Sequence, residues 1–280
     1  FKRAWQIGKK MKAFVLIRGG GDLASGAALR LFRSGFKVAI AEIARPLTVR
    51  RSVAFSQAVY DGQCAVEEVQ AKRVENSEQV LKVLQQGVIP VLVDPDGVSI
   101  KFFQPDFVVD GRMLKAVPAA PELPDEPFII GLGPGFVVGQ NCHAVVETMR
   151  GPFLGRVYWQ GSASEDTGIP ETVVSYKTER VLRAPCNGII HNLVRIGEVV
   201  EENQVISQVD EVPIRAGFKG IVRGLIFDGL TVQAGMKVGD VDPRLDPRLT
   251  QLVSDKSLAV GGGVLEAILT CLHRADLLRL

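Results

Sequence analysis

The densest run of reactive side chains is Gly139-Gln140-Asn141-Cys142-His143-Ala144-Val145-Val146-Glu147-Thr148. A thiol, an imidazole and a carboxylate so close together could act as nucleophile, proton carrier and base. If a helix begins near Asn141, His143 and Glu147 stand four residues apart on one face. Asn141 would then cap that helix, and Cys142 would lie in its first turn, where the dipole lowers a thiol pKa. A zinc site needs further ligands, and no fixed-spacing motif supplies them, so a metal stays open. Cys142, His143 and Glu147 are the candidate catalytic set. A purely structural Cys-His pair is the competing reading.

The second constellation is Arg18-Gly19-Gly20-Gly21-Asp22-Leu23-Ala24-Ser25-Gly26, which follows the apolar run Ala13-Phe14-Val15-Leu16-Ile17. Gly19, Gly21 and Ala24 match a dinucleotide fingerprint in its G-x-G-x-x-A form. Glycines there, with Gly20 between them, let backbone approach a pyrophosphate, and the following helix points its N-terminal amides at the anion. Glu42 ends the next strand, 21 residues beyond Gly21, where an acid would bond a ribose hydroxyl. Asp22 is discordant, because its carboxylate repels a phosphate unless it faces away. Arg45, Arg50 and Arg51 form the densest basic patch and could clamp a phosphate or carboxylate; a solvated loop is the equal alternative. A second glycine-rich loop, Gly131, Gly133 and Gly135, follows the strand Phe128-Ile129-Ile130, with Asp94 and Asp110 at neighbouring strand ends. A third, Gly261-Gly262-Gly263, could hold an anion, act as a hinge or permit close packing.

Elements must position these groups. Apolar runs at residues 13–17, 36–42, 88–93, 107–110 and 128–132, alternating with helical periodicity at 27–33 and 77–84, predict a β-α-β architecture. Further on, 64 residues say nearly the same thing twice: Arg183-Ala184-Pro185-Cys186-Asn187-Gly188-Ile189-Ile190 recurs 32 residues later as Arg215-Ala216-Gly217-Phe218-Lys219-Gly220-Ile221-Val222. Leu193 then matches Leu225, and Gly197 matches Gly229. This duplication resembles the biotinyl/lipoyl-type barrel-sandwich hybrid. Its central hairpin, Val209-Asp210-Glu211-Val212-Pro213, lacks a carrier lysine, which predicts a docking or positioning module.

The expected fold class is therefore α/β, a Rossmann-like parallel sheet domain plus a small duplicated all-β barrel-sandwich domain and a C-terminal helix. The expected boundaries are a nucleotide- or cofactor-binding domain at 1–150, a linker at 151–180, the barrel-sandwich domain at 181–242, and a helical segment at 243–280 packing on the first domain. The 33 Lys and Arg against 31 Asp and Glu give a net charge of +2, which speaks against a nucleic-acid partner. No apolar run is long enough to span a bilayer. With no export signal, the four scattered cysteines predict reduced thiols in a cytoplasm. Residues 1–10 read as an extension before Met11.

Several stretches together resemble the YqeB family of selenium-dependent molybdenum hydroxylase system proteins. They are Arg18 to Gly26, Ile130 to Phe136, Asn141 to Gly151, and Asp166-Thr167-Gly168-Ile169-Pro170. The resemblance implies an accessory protein for maturation of such a hydroxylase. Its apoenzyme would be the partner, and a molybdenum cofactor in pterin dinucleotide form the ligand. On that reading the phosphates lie on Gly19 to Gly21, and Cys142 holds or delivers sulfur or selenium with His143 as proton carrier. Two alternatives stand beside it: an NAD(P)-dependent oxidoreductase in which Glu42 selects a free ribose, and a non-catalytic scaffold that docks the hydroxylase.

Overall fold

The computed structural model describes residues 13–114, 123–124, 126–165 and 179–277. The expected extension at 1–10 and residues 166–178 of the expected linker, with the Asp166 to Pro170 motif among them, lie outside them.

Nine strands form the first sheet: β1 (Phe14–Arg18), β2 (Lys37–Glu42), β3 (Gln63–Val66), β4 (Val69–Val74), β5 (Ile89–Val93), β6 (Phe107–Asp110), β7 (Phe128–Leu132), β8 (Ala144–Val146) and β9 (Val157–Tyr158). Their order is β3-β4-β5-β2-β1-β6-β7-β8-β9. The sheet is mixed, which corrects the expected Rossmann-like parallel sheet: β3 runs antiparallel to β4 at one edge and β9 antiparallel to β8 at the other. The physical reason lies in two short returns. Glu67, at φ +52, turns β3 back into β4, and the chain after Glu147 folds back to lay β9 along β8.

The parallel centre is buried on both faces, and its strands read accordingly. Val15, Leu16, Ile17, Ala39 and Ile40 are all fully or almost fully buried. Helix α1 (Asp22–Arg33) follows β1 directly. Four further helices of the first 251 residues are short: α2 (Ala58–Asp61), α3 (Ser77–Gln85), α4 (Val98–Phe103) and α5 (Arg248–Gln251). The last, α6 (Asp255–Leu277), lies against α1, with Val260, Val264, Ala267 and Ile268 joining the core that α1 builds on β1. Gly261 to Gly263 fall inside α6. A methyl group on Gly261 would meet the Gly26 carbonyl oxygen at 2.6 Å, and one on Gly263 would meet that of Gly155. Gly261 and Gly263 serve close packing.

The duplicated segment forms β10 (Val181–Arg183), β11 (Gly188–Asn192), β12 (Val199–Val200), β13 (Val205–Val209), β14 (Val212–Arg215), β15 (Gly220–Leu225), β16 (Thr231–Val232) and β17 (Lys237–Asp242). They make two separate four-stranded antiparallel sheets, β10-β17-β15-β12 and β14-β13-β11-β16. This corrects the expected barrel-sandwich: no ladder among the described residues joins one sheet to the other, because β12 and β16 are only two residues long. Each sheet takes two strands from each copy of the repeat. A shared core of Ile190, Val200, Ile206, Val222, Val232 and Val238 fills the space between them.

Charge joins the two parts. Arg50, 7% exposed, pairs with Asp22 at 3.0 Å and donates to the carbonyls of Leu249 and Leu252. Arg51 donates to the Leu225 carbonyl at 2.7 Å, and Tyr60 stacks on Phe227 with ring centroids 3.8 Å apart.

Candidate functional site

The C-terminal ends of β1, β6 and β7 meet beside the start of α1, where open α/β sheets bind ligands. Gly19 adopts φ +87, which turns the chain out of β1, and its amide donates to the Ala41 carbonyl at 2.7 Å. Gly20 is fixed by packing: a methyl group there would lie 2.8 Å from the Ser56 nitrogen. At Gly21, the N-cap of α1, no side chain caps the helix, so the amides of its first turn are open to an acceptor.

Arg112 lies directly across this turn. Gly111 packs so closely on Ala24 that a methyl group would meet the Ala24 Cβ at 2.8 Å, and one on Gly19 would come within 3.4 Å of the Arg112 Cα. The Arg112 guanidinium makes a bidentate pair with Asp110, at 2.9 and 2.6 Å. Arg18 approaches the same carboxylate at 3.7 Å and donates to the Pro95 carbonyl. Burial, followed by the neighbouring Arg112 cation, lowers the Arg18 pKa. Two guanidiniums face the Asp110 carboxylate beside the uncapped helix amides, and Asp94 and Asp96 also act on Arg18. That arrangement suits an oxyanion.

Asp22 does not oppose it. Its two oxygens face Arg50 Nη1 at 3.0 Å and the Ser257 hydroxyl at 2.7 Å. The opposite wall is the loop after β7. Gly133, at φ +75, packs so closely that a methyl group would sit 2.5 Å from Thr148 Oγ1. Gly131 leaves room for the Phe136 ring, and the Gly135 carbonyl accepts from the Asn141 amide.

Other expected site residues fall elsewhere. Glu42 is 8% exposed and accepts from the amides of Gly20 at 2.8 Å and Ile43 at 2.6 Å. Burial raises its pKa; one oxygen holds the glycine loop through Gly20 and the other takes the amide of its own neighbour, Ile43. Arg45 donates to the Gly229 carbonyl. With Arg50 and Arg51 it bridges to the duplicated unit and the tail, and none of the three clamps the glycine loop.

The Cys-His-Glu run is extended chain leading into β8, which corrects the expected helix. Alternation puts Cys142 and His143 on opposite faces, and four residues of extended chain, at about 3.3 Å each, hold Glu147 away from His143. Cys142 is fully buried with Phe136, Val145 and Ala163, and burial pushes its thiol up to about 12, opposite to the lowering a helix N-terminus would give. His143 stacks on Phe128, and its Nδ1 accepts from the Ile129 amide at 2.8 Å. Glu147 organises the turn after β8, accepting from the amides of Thr148, Met149 and Ser164 at 2.7, 2.7 and 2.8 Å. Among the described residues, no group of three or more His, Cys, Asp or Glu could hold a metal ion.

Burial opposes ionisation of Glu147, but the hydrogen bonds led by Met149 and Ser164 outweigh it and hold the carboxyl below its ordinary range. Its folded-state pKa is thus below its unfolded one. The carboxylate stabilises the fold above about pH 4.3, the ordinary glutamate value, and that contribution fades as pH falls through the lower folded value. Urea midpoints of wild type and Glu147→Gln at pH 7 and pH 3 check this. The wild type's advantage is expected to be larger at pH 7 than at pH 3.

Arg18 and Arg112 were the residues sequence reasoning passed over. Their signal was a charged residue immediately after an apolar strand, at Ile17-Arg18 and at Val109-Asp110-Gly111-Arg112.

No family model matches the chain. Over 260 residues it is 45% identical to a protein of Escherichia coli K12 named "Uncharacterized protein YqeB", covering 93% of this chain and 48% of that one. The chain spans about half the length of this YqeB relative. Among solved structures, an aspartoacylase family protein from Mesorhizobium loti aligns at a TM-score of 0.26 and 13% identity, covering 83% of this chain and 85% of that one. A succinylglutamate desuccinylase from Silicibacter sp. TM1040 aligns at a TM-score of 0.24 and 14% identity, covering 82% and 84%. At such scores neither likeness carries an argument. No helix among the described residues is long and apolar enough to cross a membrane.

Proposed function

We propose that the chain is an accessory protein for maturation of a selenium-dependent molybdenum hydroxylase, and that it holds a phosphate-bearing cofactor at the edge of the mixed sheet. The observation that carries this reading is the pairing of Arg112 and Arg18 around one carboxylate beside the uncapped first turn of α1. The likeness to YqeB supports the family context.

The residues fit one part of a pterin dinucleotide and not another. Its phosphates would meet the α1 amides and Arg112, and the group would supply the molybdenum chemistry that the hydroxylase needs. Cys142 does not fit a metal-contacting or selenium-delivering role, because it is enclosed in an apolar cluster with a neutral thiol. No transfer step is therefore assigned to it. The protein's part is to bind, orient and present. In the oxidoreductase alternative Glu42 would have to accept a ribose hydroxyl in addition to the Gly20 and Ile43 amides it already holds.

The test is mass spectrometry and fluorescence of the ligand released by acid from protein purified from a molybdenum-replete host. Pterin with molybdenum in matching stoichiometry is expected. NAD(P) as the sole released ligand would overturn the reading.

A further inference from the structure

A second site lies away from the sheet edge, where the two parts of the chain meet. A cleft of about 380 Å³ is lined by Arg51, Ser52 and Gln57 from the first part, and by Asn192, Val194, Arg195, Ile196 and Asp228 from the duplicated unit. This is the size of a small-metabolite pocket.

Its chemistry follows by asking which polar groups are already engaged. The Ser52 hydroxyl donates to the Thr250 carbonyl. Gln57 accepts from Arg51 Nη1 and donates to Asp61. The Asn192 side chain donates to the Ile226 carbonyl and accepts from Ser207. Three charges remain. Arg51 is half-buried and makes no ion pair among the described residues; its Nε holds the Leu225 carbonyl, its guanidinium lies 5.3 Å from the Phe227 ring centroid, and Nη2 has no hydrogen-bond partner there. Burial is the largest influence on it and lowers its pKa against the opposing pull of Asp61 and Asp228. Arg195 is exposed, and its guanidinium makes no hydrogen bond or ion pair among the described residues. Asp228 uses Oδ1 for the Asn192 amide at 2.7 Å, and its Oδ2 makes no hydrogen bond among the described residues.

We propose that this cleft binds a small zwitterionic metabolite, its oxyanion held between Arg51 and Arg195 and its ammonium held by Asp228. Val194 and Ile196 form the apolar floor under the carbon chain that links the two charges. The arginines recognise the oxyanion by forked hydrogen bonds, and the acid rejects ligands that carry only negative charge. Because the walls come from both parts, ligand also ties the duplicated unit to the sheet.

The test is calorimetric titration of the full chain with two probes, phosphoethanolamine and β-alanine, against sulfate as the anion without an ammonium. Saturable binding of one or both probes, with sulfate at least tenfold weaker, is expected; the preferred probe tells phosphate from carboxylate. Arg195→Ala should weaken that binding at least tenfold with an unchanged melting temperature, since the side chain is exposed. Asp228→Asn should remove the preference over sulfate. Arg51 also joins the two parts, so its variants can unfold, and the test rests on Arg195. The proposal is overturned if neither probe binds wild type, or if Arg195→Ala binds within twofold of wild type.

Discussion

Two neighbouring glycines in one helix should respond oppositely to the same substitution. Gly262→Ala is expected to raise stability by about 0.5–1 kcal/mol, the gain of replacing glycine in a helix interior where nothing obstructs the new methyl group. Nothing lies within 4 Å of the place that methyl would take. Gly261→Ala is expected to lower stability by about 1–3 kcal/mol, the cost of overpacking, despite the same propensity gain. Its methyl group would meet the Gly26 carbonyl oxygen at 2.6 Å and the Arg30 Cγ at 2.9 Å. The obstruction is α1 backbone, which cannot move aside as a side chain can. Gly26→Ala should behave like Gly261→Ala, because its methyl group would lie 2.5 Å from the Ser257 carbonyl oxygen. Urea midpoints by circular dichroism check all three, and equal effects at 261 and 262 would contradict this packing.

A larger loss is expected at Asp240. Its carboxylate, on a residue 2% exposed, faces Arg180 at 2.9 Å and Arg223 at 3.6 Å. Asp242 alongside is paired with Arg244 at 2.7 Å. Burial is the largest influence on Arg223 and lowers its pKa; the nearby Arg50 adds to this, while Asp240 and Asp242 counter it. Asp240 is shared by two buried guanidiniums, and removing one member of a buried ion pair costs about 3–5 kcal/mol. Asp240→Ala should therefore destabilise the duplicated unit by that order, whereas Asp246→Ala should change little. Asp246 pairs with Arg248 in an exposed loop, where solvent screens the charge. Thermal unfolding of the two variants side by side distinguishes buried from exposed pairing.

The sequence made the centre of the fold readable where local signals were strong. The apolar runs of β1, β2, β5, β6 and β7 and the glycine stop after α1 matched elements within a few residues. The edges did not declare themselves. Val66-Glu67-Glu68-Val69 makes a hairpin without the glycine or asparagine that such turns favour, so β3 and β4 went unread. The run from Asn141 to Thr148 admitted a helical spacing for His143 and Glu147. The β-branched pair Val145-Val146 was the competing signal, and pairing with β7 decided it. The repeat was plain in spacing, but equivalent positions need not share an environment: Leu193 is 57% exposed and its counterpart Leu225 is 1% exposed.

At the sites, residue type was legible and direction was not. Arg45, Arg50 and Arg51 form a basic patch in sequence, yet their acceptors, Gly229, Leu249 and Leu225, lie some 170 to 200 positions away. Glu42 stood at the place expected for a ribose acid, but the Gly20 amide beside it was the nearer donor. Asp110 and Arg112 straddle a glycine that Ala24 requires to be small, a contact no local pattern encodes.

The most direct test of the central claim is equilibrium binding of a pterin dinucleotide by the full chain and by Arg112→Glu. That change reverses the charge beside the uncapped α1 turn while leaving the core untouched. Loss of at least tenfold in affinity, read below the variant's lowered melting temperature, is the predicted result, because the new carboxylate also faces the buried Asp110. Affinity unchanged in Arg112→Glu would contradict the account, because the anion would then be held somewhere other than the sheet edge.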